Sequence, residues 1–506
     1  MFEKYNPGEY HNNPSVFVQM LEKDRVNRIK DKIKCYNNEA KSVIKIKLSK
    51  TACALLMLCL CVRVFLFAGI KLKNPSGFFQ NDSYGYWKIA ENLVNYGTFS
   101  QSDEFPLAPD HSRTPVYPIL IAAMIKLGFN AYSVIIVQLI LSCLTCLLIV
   151  WMTYKLSGNY LSGLLAGLMI AVDVPSVVLA NCLLTETLFT FLLVLSLSLL
   201  AVYLKNYGMF GKRLRLLCAS GIIMGTSVLC RPIALFLPIF MVGMILFFFH
   251  RINKKIIISI TIYSVICLLI IFPWIIRNQV VFGYPFVSTI GYRNMLNYRA
   301  AGIYAEKNNI SLGNARSILS QKARSTYKGS QNDIVGMTKH QATVGASFIL
   351  RNPAIYVRNH IKGLSNMLIK PIRSTIDLQL GFSKEGNTLT VWGKGKRDLS
   401  ISGILSKTSP LTFILLIFQM AIISVLWLAC FWGIIKSFIK KDYLTCSIVL
   451  TLLIYFCLVS GGPEAYARFR VPLIPFIAIG AGVGLQSIIE NIIRVKERKA
   501  ESFKII

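Results

Sequence analysis

The sequence predicts an all-α polytopic membrane protein with about ten transmembrane helices, interfacial helices in its first outer loop, and a large, mostly helical extracytoplasmic loop. Of its 506 residues, 54% are hydrophobic and only 15% are charged. The 55 Lys and Arg residues outnumber the 23 acidic residues, and they concentrate between long runs that carry almost no charge. This composition excludes an ordinary soluble enzyme.

Ten apolar runs approach the length of about 20 residues that a helix needs to cross about 30 Å of hydrocarbon. These runs predict spans at 49–70, 131–153, 159–180, 183–204, 214–231, 233–249, 256–277, 410–435, 443–460 and 471–489. The two runs on either side of Arg231-Pro232 almost touch, and the alternative is a single long broken helix.

Lysine and arginine predict the orientation, because cytoplasmic segments of membrane proteins carry an excess of these residues. With ten spans and a cytoplasmic N-terminus, every inside segment has net positive charge, including 205–215, 436–441 and the C-terminal tail. Merging the runs at Arg231 would put the last two of these segments outside. We therefore predict that both termini are cytoplasmic.

This topology divides the chain into five parts. They are a basic cytoplasmic segment at 1–48, spans one to seven within 49–277, an extracytoplasmic loop domain at 278–409, spans eight to ten within 410–489, and a basic cytoplasmic tail at 490–506. The loop domain holds eighteen Lys and Arg against five acidic residues, which favours contact with anionic membrane lipids or a phosphate-bearing substrate.

The outer loops contain segments with helical spacing. In the first outer loop, 71–130, apolar residues recur after Asp82 up to a stop at Gly97, and a short apolar segment follows at 115–127. The larger loop is helical in pattern at 312–328 and 353–369. It then becomes glycine-rich and basic at 384–397, which predicts a mobile stretch.

Five ionisable residues lie within or at the ends of the predicted spans, where a charge is costly and functional by default. They are Arg63, Asp173, Glu186, Arg231 and Arg277, and the topology puts all of them toward the outer side. Simple alternatives exist for three: Arg63 snorkels, Arg277 anchors a helix at the interface, and Asp173 caps a helix. Glu186 and Arg231 are the stronger functional candidates.

Asp82 is the strongest candidate among the carboxylates. It begins the predicted interfacial helix, with Tyr84 and Tyr86 just after it. Desolvation at the interface is expected to raise its pKa toward the range of a general base. The alternative is that Asp82 serves as the N-cap of this helix.

Two arginine-containing segments are candidate phosphate sites. In the first outer loop, His111 and Arg113 precede a proline-opened helix, whose N-terminus favours anions. In the last outer loop, Arg468 and Arg470 precede the final span. The alternatives are a plain turn in the first case and anchoring of a helix at lipid head groups in the second.

These segments resemble those of the GT-C membrane glycosyltransferases, and more narrowly the group of protein O-mannosyltransferases and lipid A aminoarabinose transferases. The resemblance rests on 82–100, on Arg113-Thr-Pro-Val-Tyr-Pro118, on 185–193 and on 468–475. It implies inverting transfer of a single sugar from a polyprenyl-phosphate donor to a lipid, glycan or protein acceptor at the extracytoplasmic face. An aspartate in the first outer loop would be the general base, and Asp82 matches that position.

The resemblance also suggests the roles of the other candidates. It implies that Arg113 holds the donor phosphate, and Arg231, Arg468 and Arg470 are further fixed cations for a phosphate leaving group. Glu186 is the second candidate catalytic carboxylate, and Tyr84, Tyr86 and His111 are expected to contact substrate. The chain lacks the paired Asp-Glu of the mannosyltransferases and the Glu-Lys-Pro-Pro of the aminoarabinose enzymes, so neither sugar nor acceptor is implied.

Other functions remain open at this point. A flippase or transporter of lipid-linked sugars would hold its charges near the bilayer midplane. An O-antigen polymerase or ligase would not require the Asp82 segment, and a scaffold would leave Glu186 unexplained. No cluster of His or carboxylate residues predicts a tight metal site, so we expect no resident cofactor, with a loosely bound divalent cation as the alternative.

Glycosylation sequons in the outer loops bear on the compartment. Asn81-Asp-Ser and Asn309-Ile-Ser would face the lumen of the endoplasmic reticulum, and a glycan on Asn81 would crowd Asp82. This favours a bacterial cytoplasmic membrane.

The topology makes a direct prediction. A reporter fused after Lys441 is expected to be cytoplasmic, and a cysteine replacing Gly393 is expected to react with an impermeant maleimide in intact cells. Labelling of Gly393→Cys only after permeabilisation of the membrane would contradict the ten-span topology.

Overall fold

The computed structural model describes residues 50–206, 210–249, 252–330, 332–382 and 410–504. The chain forms two compact units, Met1–Ala54 and Leu55–Ile506. Only 50–54 of the first unit are described.

The described residues are helical, with short connections. In chain order the helices are α1 Lys50–Lys73, α2 Asn81–Tyr96, α3 Val116–Lys126, α4 Ala131–Ser157, α5 Tyr160–Ala171, α6 Val174–Ala180, α7 Glu186–Lys205, α8 Phe210–Cys230, α9 Leu237–Phe248, α10 Lys254–Phe282, α11 Ile290–Asn294, α12 Ala301–Asn308, α13 Leu312–Thr326, α14 Ile334–Leu350, α15 Pro353–Ile369, α16 Arg373–Gln379, α17 Pro410–Ile439, α18 Tyr443–Ser460 and α19 Ile474–Lys504. Short 3₁₀ turns form at Pro75–Phe78, Pro232–Ala234 and Ala467–Arg470, and a π-helical turn at Met295–Ala300.

The predicted class, an all-α multi-pass membrane protein, is confirmed. Among the described residues, seven helices are long and apolar enough to cross a membrane, or eight if α5 and α6, bent by 58°, form one broken span. The two remaining predicted spans coincide with the shorter apolar helices Leu214–Cys230 and Pro232–Phe248. Each predicted span therefore coincides with apolar helix, while the number ten remains a prediction.

The outer-loop helices form as predicted. The helix after Asp82 is α2, which ends at Gly97 with a positive φ of 67°, and the short apolar segment is α3. The patterns in the larger loop correspond to α13 and α15. The segment 384–397 lies outside the described residues. The last helix, α19, runs past the predicted span end at 489 to Lys504, so much of the predicted tail is helical.

A non-helical segment between α6 and α7 shapes the region where the candidate residues meet. Its backbone groups need partners because they lie away from water. The Gln138 side chain donates to the carbonyls of Ala180 and Cys182, at 3.2 and 2.6 Å, and the amide of Leu183 donates to Phe78 O at 2.9 Å. These bonds hold the segment that leads into Glu186 at the start of α7.

Glycines allow α17 and α19 to pack closely. A Cβ added at Gly433 of α17 would overlap the carbonyl oxygen of Gly480 and lie 2.9 Å from the amide of Gly484, both on α19. Small residues at helix contacts are typical of membrane proteins, where close backbone approach replaces the hydrophobic driving force.

We predict that Gly433→Ala destabilises the protein by about 1–3 kcal/mol, because overpacking forces the two backbones apart. Gly243→Ala in α9 is the matched control, since a Cβ there meets no atom within 4 Å. The measurement is the thermal unfolding midpoint of the purified protein in detergent. Equal midpoints for the two variants would contradict this account of the α17–α19 contact.

Candidate functional site

Asp82 is the second residue of α2 and is not the N-cap of this helix. Gln80 is the N-cap, and it forms a capping box in which the hydroxyl of Ser83 accepts the amide of Gln80 at 2.9 Å. The alternative role of Asp82 as the N-cap is therefore wrong. Its carboxylate is left to face two arginines from distant parts of the chain.

Arg113 binds one oxygen of Asp82, and a folded loop presents it. The buried carboxylate of Asp110 accepts the backbone amides of Ser112 and Arg113 at 3.0 and 2.6 Å. The Arg113 guanidinium stacks over the ring of Tyr86, 4.6 Å from its centre, and donates to the Tyr86 hydroxyl at 3.2 Å. Its Nη2 lies 2.9 Å from Asp82 Oδ1.

Arg468 binds the other oxygen of Asp82. It comes from the 3₁₀ turn Ala467–Arg470, and its Nη1 donates to Asp82 Oδ2 at 2.9 Å. Its Nε pairs with Oε1 of Glu186. One guanidinium therefore joins two carboxylates that lie on different helices.

Glu186 is the most deeply buried member of this group, with a side chain that is 0% exposed. It also pairs with Nη1 of Arg231 at 2.5 Å. Arg231 follows the last residue of α8 and precedes Pro232, so the helix break that the sequence suggests at this dipeptide presents its side chain. Thr114, next to Arg113, donates to Cys230 O at 3.1 Å and ties the first outer loop to this break.

Arg113, Asp82, Arg468, Glu186 and Arg231 thus form a continuous chain of ion pairs, which we call the arginine–carboxylate cluster. Three guanidinium groups against two carboxylates leave one surplus positive charge. Asp82 is its most exposed member, with a side chain that is 38% exposed. Because removing one partner of a buried ion pair typically costs about 3–5 kcal/mol, the buried Glu186 depends on Arg231 and Arg468. The two pairs of Asp82 are more exposed, and solvent screens them more strongly.

The pKa of Asp82 shifts in the direction opposite to the sequence expectation. Burial acts to raise it, but the charges of Arg468 and Arg113 outweigh burial and hold the pKa of Asp82 well below its ordinary value. Asp82 is therefore ionised at neutral pH. The sequence indicated desolvation at the interface, but it did not show that Arg113 and Arg468 pair with Asp82.

Arg470 is the one predicted phosphate-binding residue that the structure separates from the cluster. It is completely buried, and its Nη1 donates to the carbonyls of Met367 and Lys370 at 2.7 and 3.2 Å, at the end of α15. The structure therefore places Arg470 apart from the cluster, and its phosphate-binding role stays a prediction. Successive residues of a 3₁₀ turn point in different directions, so Arg470 cannot share the environment of Arg468.

The three aromatic and histidine candidates have different positions. Tyr86 contacts the cluster through Arg113. Tyr84 is exposed and packs its ring 5.3 Å from that of Phe79. His111 contacts Thr289 Oγ1 through Nδ1 at 2.7 Å, and its pKa is lowered by burial, with Arg293 and Arg277 acting in the same direction and Asp110 opposing. The substrate roles of these residues remain predictions.

The simple alternatives for the other intramembrane charges have mixed outcomes. Asp173 is the N-cap of α6 and accepts a hydrogen bond from the amide of Ser176 at 2.9 Å, which is the capping role that the sequence offered as the alternative to a functional one. Arg63 does not snorkel: it is completely buried and donates to Ser142 Oγ at 2.8 Å and to the Ala171 carbonyl at 3.1 Å.

Tyr466, which lies near the cluster, was not singled out from the sequence; it accepts a hydrogen bond from Arg468 at 3.3 Å. Arg277, one of the five ionisable residues named from the sequence, donates to the Asp110 carbonyl at 3.0 Å and so supports the loop that presents Arg113. The sequence could have suggested Tyr466 as a site residue, because it lies between the glycines and the arginines of the loop before the last span. Within the described ranges, no group of three or more His, Cys, Asp or Glu side chains is placed to hold a metal ion.

Residues 110–276 match the protein family described as dolichyl-phosphate-mannose-protein mannosyltransferase. The match confirms the resemblance to the GT-C membrane glycosyltransferases. It includes Arg113, Glu186 and Arg231 of the cluster, and Asp82 and Arg468 lie outside the matched residues. No curated protein matches the chain.

Solved structures with a similar arrangement include two glycosyltransferases. The archaeal oligosaccharyltransferase AglB from Archaeoglobus fulgidus, in complex with an inhibitory peptide and a dolichol-phosphate, is 12% identical, with a TM-score of 0.48 over 88% of this chain and 52% of its own. ArnT from Cupriavidus metallidurans bound to undecaprenyl phosphate is 10% identical, with a TM-score of 0.39 over 85% and 77% of the respective chains. The chain spans about half the length of the oligosaccharyltransferase.

The lowered pKa of Asp82 predicts how pH affects its contribution to stability. That contribution is complete above the ordinary carboxylate pKa of about 4 and is lost as pH falls through the lower pKa of the folded state. The wild type is therefore expected to exceed Asp82→Asn in unfolding midpoint by a constant margin from about pH 7 to about pH 5, and by less below about pH 4. Thermal unfolding in detergent across this range is the test, and a margin that vanishes already between pH 7 and 5 would mean that the pKa of Asp82 is raised.

Proposed function

We propose that the protein is an inverting glycosyltransferase that moves a single sugar from a polyprenyl-phosphate donor to a hydroxyl group of a lipid, glycan or protein acceptor. The observation that carries this proposal is the arginine–carboxylate cluster, in which Asp82 is held by two arginines and is the most exposed member. The family match over 110–276 supports the same class of reaction.

The charge of the cluster suits this donor. A polyprenyl-phosphate sugar is a phosphodiester with one negative charge, which complements the single surplus positive charge of the cluster. When the bond to the sugar breaks, the leaving phosphate gains a second negative charge. Arginines already held in place stabilise this developing charge without reorganisation at the moment of reaction.

The reaction then proceeds as a direct displacement. The acceptor hydroxyl forms a bond to the anomeric carbon of the sugar, the bond from that carbon to the phosphate oxygen breaks, and the acceptor proton passes to Asp82. In the structure Asp82 is a poor base, because Arg113 and Arg468 hold its pKa low. A donor phosphate that shares these arginines would weaken their hold on Asp82 and raise its basicity.

We assign Glu186 an indirect role in the same reaction. Its side chain is fully buried and engaged with Arg231 and Arg468. An acceptor at the exposed end of the cluster would meet Asp82, so Glu186 acts as the counter-ion that orients the two arginines. Tyr84, Tyr86 and His111 are the proposed substrate contacts around this end.

The setting of the reaction also belongs to the proposal. The enzyme would act at the outer face of a bacterial cytoplasmic membrane, with both termini in the cytoplasm and anionic lipids around its basic loop domain. We propose that it needs no resident cofactor. A divalent cation brought by the donor phosphate is the alternative, and chelation by EDTA distinguishes the two.

The test is transfer of a labelled sugar from a synthetic polyprenyl-phosphate donor by the purified protein, with no nucleotide sugar present. Asp82→Asn is expected to lower turnover about 10²- to 10⁴-fold, the usual contribution of a general base. Asp103→Asn is the matched control, because Asp103 lies in the same outer loop and forms an exposed ion pair with Lys88 at 3.1 Å. Its turnover is expected to equal that of the wild type.

Two results would overturn the proposal. If Asp82→Asn keeps near-normal turnover while folding and inserting normally, Asp82 is not the base. If the wild type moves the intact lipid-linked sugar across vesicle membranes but never forms a new glycosidic bond with any acceptor, the protein is a flippase.

A further inference from the structure

The segment that carries Arg468 rests on helices of the outer loop domain. This final outer segment, Ser460–Arg470, begins at the last residue of α18 and passes along α15 and α12. A Cβ added at Gly363 of α15 would overlap the backbone of Gly462, and one added at Gly302 of α12 would lie 2.6 Å from Pro463 Cγ. Glycines on both helices therefore allow the final outer segment to lie directly against them.

Two buried charged residues anchor this segment, one on each side of Arg468. Before it, Glu464 pairs through Oε1 with Nε of Arg299 at 3.1 Å, and Arg299 also donates to Val459 O at 3.0 Å. After it, Arg470 donates to the carbonyls of Met367 and Lys370. Both anchors connect to the outer loop domain, and the residue between them is the one that joins Asp82 to Glu186.

The environment of the Glu464–Arg299 pair indicates that it does more than join two surfaces. The side chain of Glu464 is only 9% exposed, and within the described residues its second oxygen has no hydrogen-bond donor. Burying a charge costs desolvation free energy unless its partner is held in good geometry. A link between two surfaces would not require this cost, so the pair is expected to have a more specific role. Arg299 lies in the π-helical turn Met295–Ala300, a local irregularity that is frequent at functional sites.

We propose that Arg299 and Glu464 are positioning residues, which set the geometry of the reaction by holding Arg468 in place between Asp82 and Glu186. This inference rests on the proposed function. Neither residue contacts the cluster itself. Their effect passes through the backbone of the final outer segment to the guanidinium of Arg468.

The chain contains a matched control for this pair. Glu306 of α12 forms an ion pair with Arg358 of α15, so it links the same two helices through the same chemical groups. Among the described residues, the ion pairs of Glu306 are with Arg358 and Lys362 of α15, and neither partner belongs to the final outer segment. Glu306→Gln therefore measures the effect on activity of losing one carboxylate between α12 and α15 when the final outer segment is not directly involved.

The first experiment measures kcat and KM for sugar transfer. Glu464→Gln is expected to lower kcat up to about 100-fold, the size of effect that a misplacement of about 1 Å produces, with KM for the donor nearly unchanged. Glu306→Gln is expected to leave kcat unchanged. In an Arg468→Lys background, Glu464→Gln is expected to lower kcat by less than about threefold, because the group through which it acts has already been altered.

A second experiment does not depend on activity. Hydrogen–deuterium exchange of peptides covering 460–471 is expected to become about tenfold faster in Glu464→Gln, and to remain unchanged in Glu306→Gln. Arg299→Lys, which keeps the positive charge but loses the two-pronged contact, is the second variant if Glu464→Gln does not fold. It is expected to change kcat and exchange in the same direction.

The outcomes separate this inference from the proposed function. Two results overturn the positioning role. One is unchanged hydrogen–deuterium exchange in both the Glu464 and the Arg299 variants. The other is a drop of about 100-fold in kcat when Glu464→Gln is added to the Arg468→Lys background, as large as in the wild-type background. Absence of transfer by the wild type overturns the proposed function, and the exchange result still decides whether the pair holds the final outer segment.

Discussion

The site depends on one guanidinium, that of Arg468, which bonds to Asp82 and Glu186 at once. Without it, a fully buried carboxylate at the start of α7 would keep only Arg231, and Asp82 would keep only Arg113. Burying either carboxylate with too little positive charge would favour its neutral form or displace it toward water. Through these pairs, α2, α7, the break after α8 and the 3₁₀ turn Ala467–Arg470 meet at one point, where their charges balance one another.

The cluster also explains why the fold interrupts its helices near this point. The chain leaves helical geometry between α6 and α7, after α8 at Arg231, and at the 3₁₀ turn that carries Arg468. Buried non-helical backbone is tolerated only where other groups satisfy its hydrogen bonds, and here the side chains of Gln138 and Thr114 donate to the carbonyls of Cys182 and Cys230. These interruptions direct charged side chains inward from the ends of helices.

Under the proposed function, the depressed pKa of Asp82 would make the activity of the site depend on the presence of the donor. A carboxylate held by two arginines is stable and ionised but weakly basic. A phosphate that enters and shares the arginines would change this balance, so the proton acceptor would become effective when the donor is present. The same guanidinium groups would then stabilise the leaving phosphate.

The sequence by itself determined the helices and most of the site candidates. Length and periodicity of apolar runs are local properties, and a charge within such a run is conspicuous, so Glu186 and Arg231 stood out as candidates. Asp82, Arg113 and Arg468 lie in loops, and short local motifs together with the family resemblance made them candidates. Their pairing was not predictable in this way, because Arg468 and Asp82 lie 386 residues apart and Arg113 and Asp82 lie 31 apart. The sign of the pKa shift of Asp82 depends on those pairs and was predicted wrongly. Arg468 and Arg470 show the limit most clearly: two residues of the same type, two positions apart, look alike in sequence, yet the turn sends one into the cluster and the other into the carbonyls that end α15. Only the tertiary structure decides that difference, because the direction of a side chain in a turn has meaning only relative to the groups that surround it.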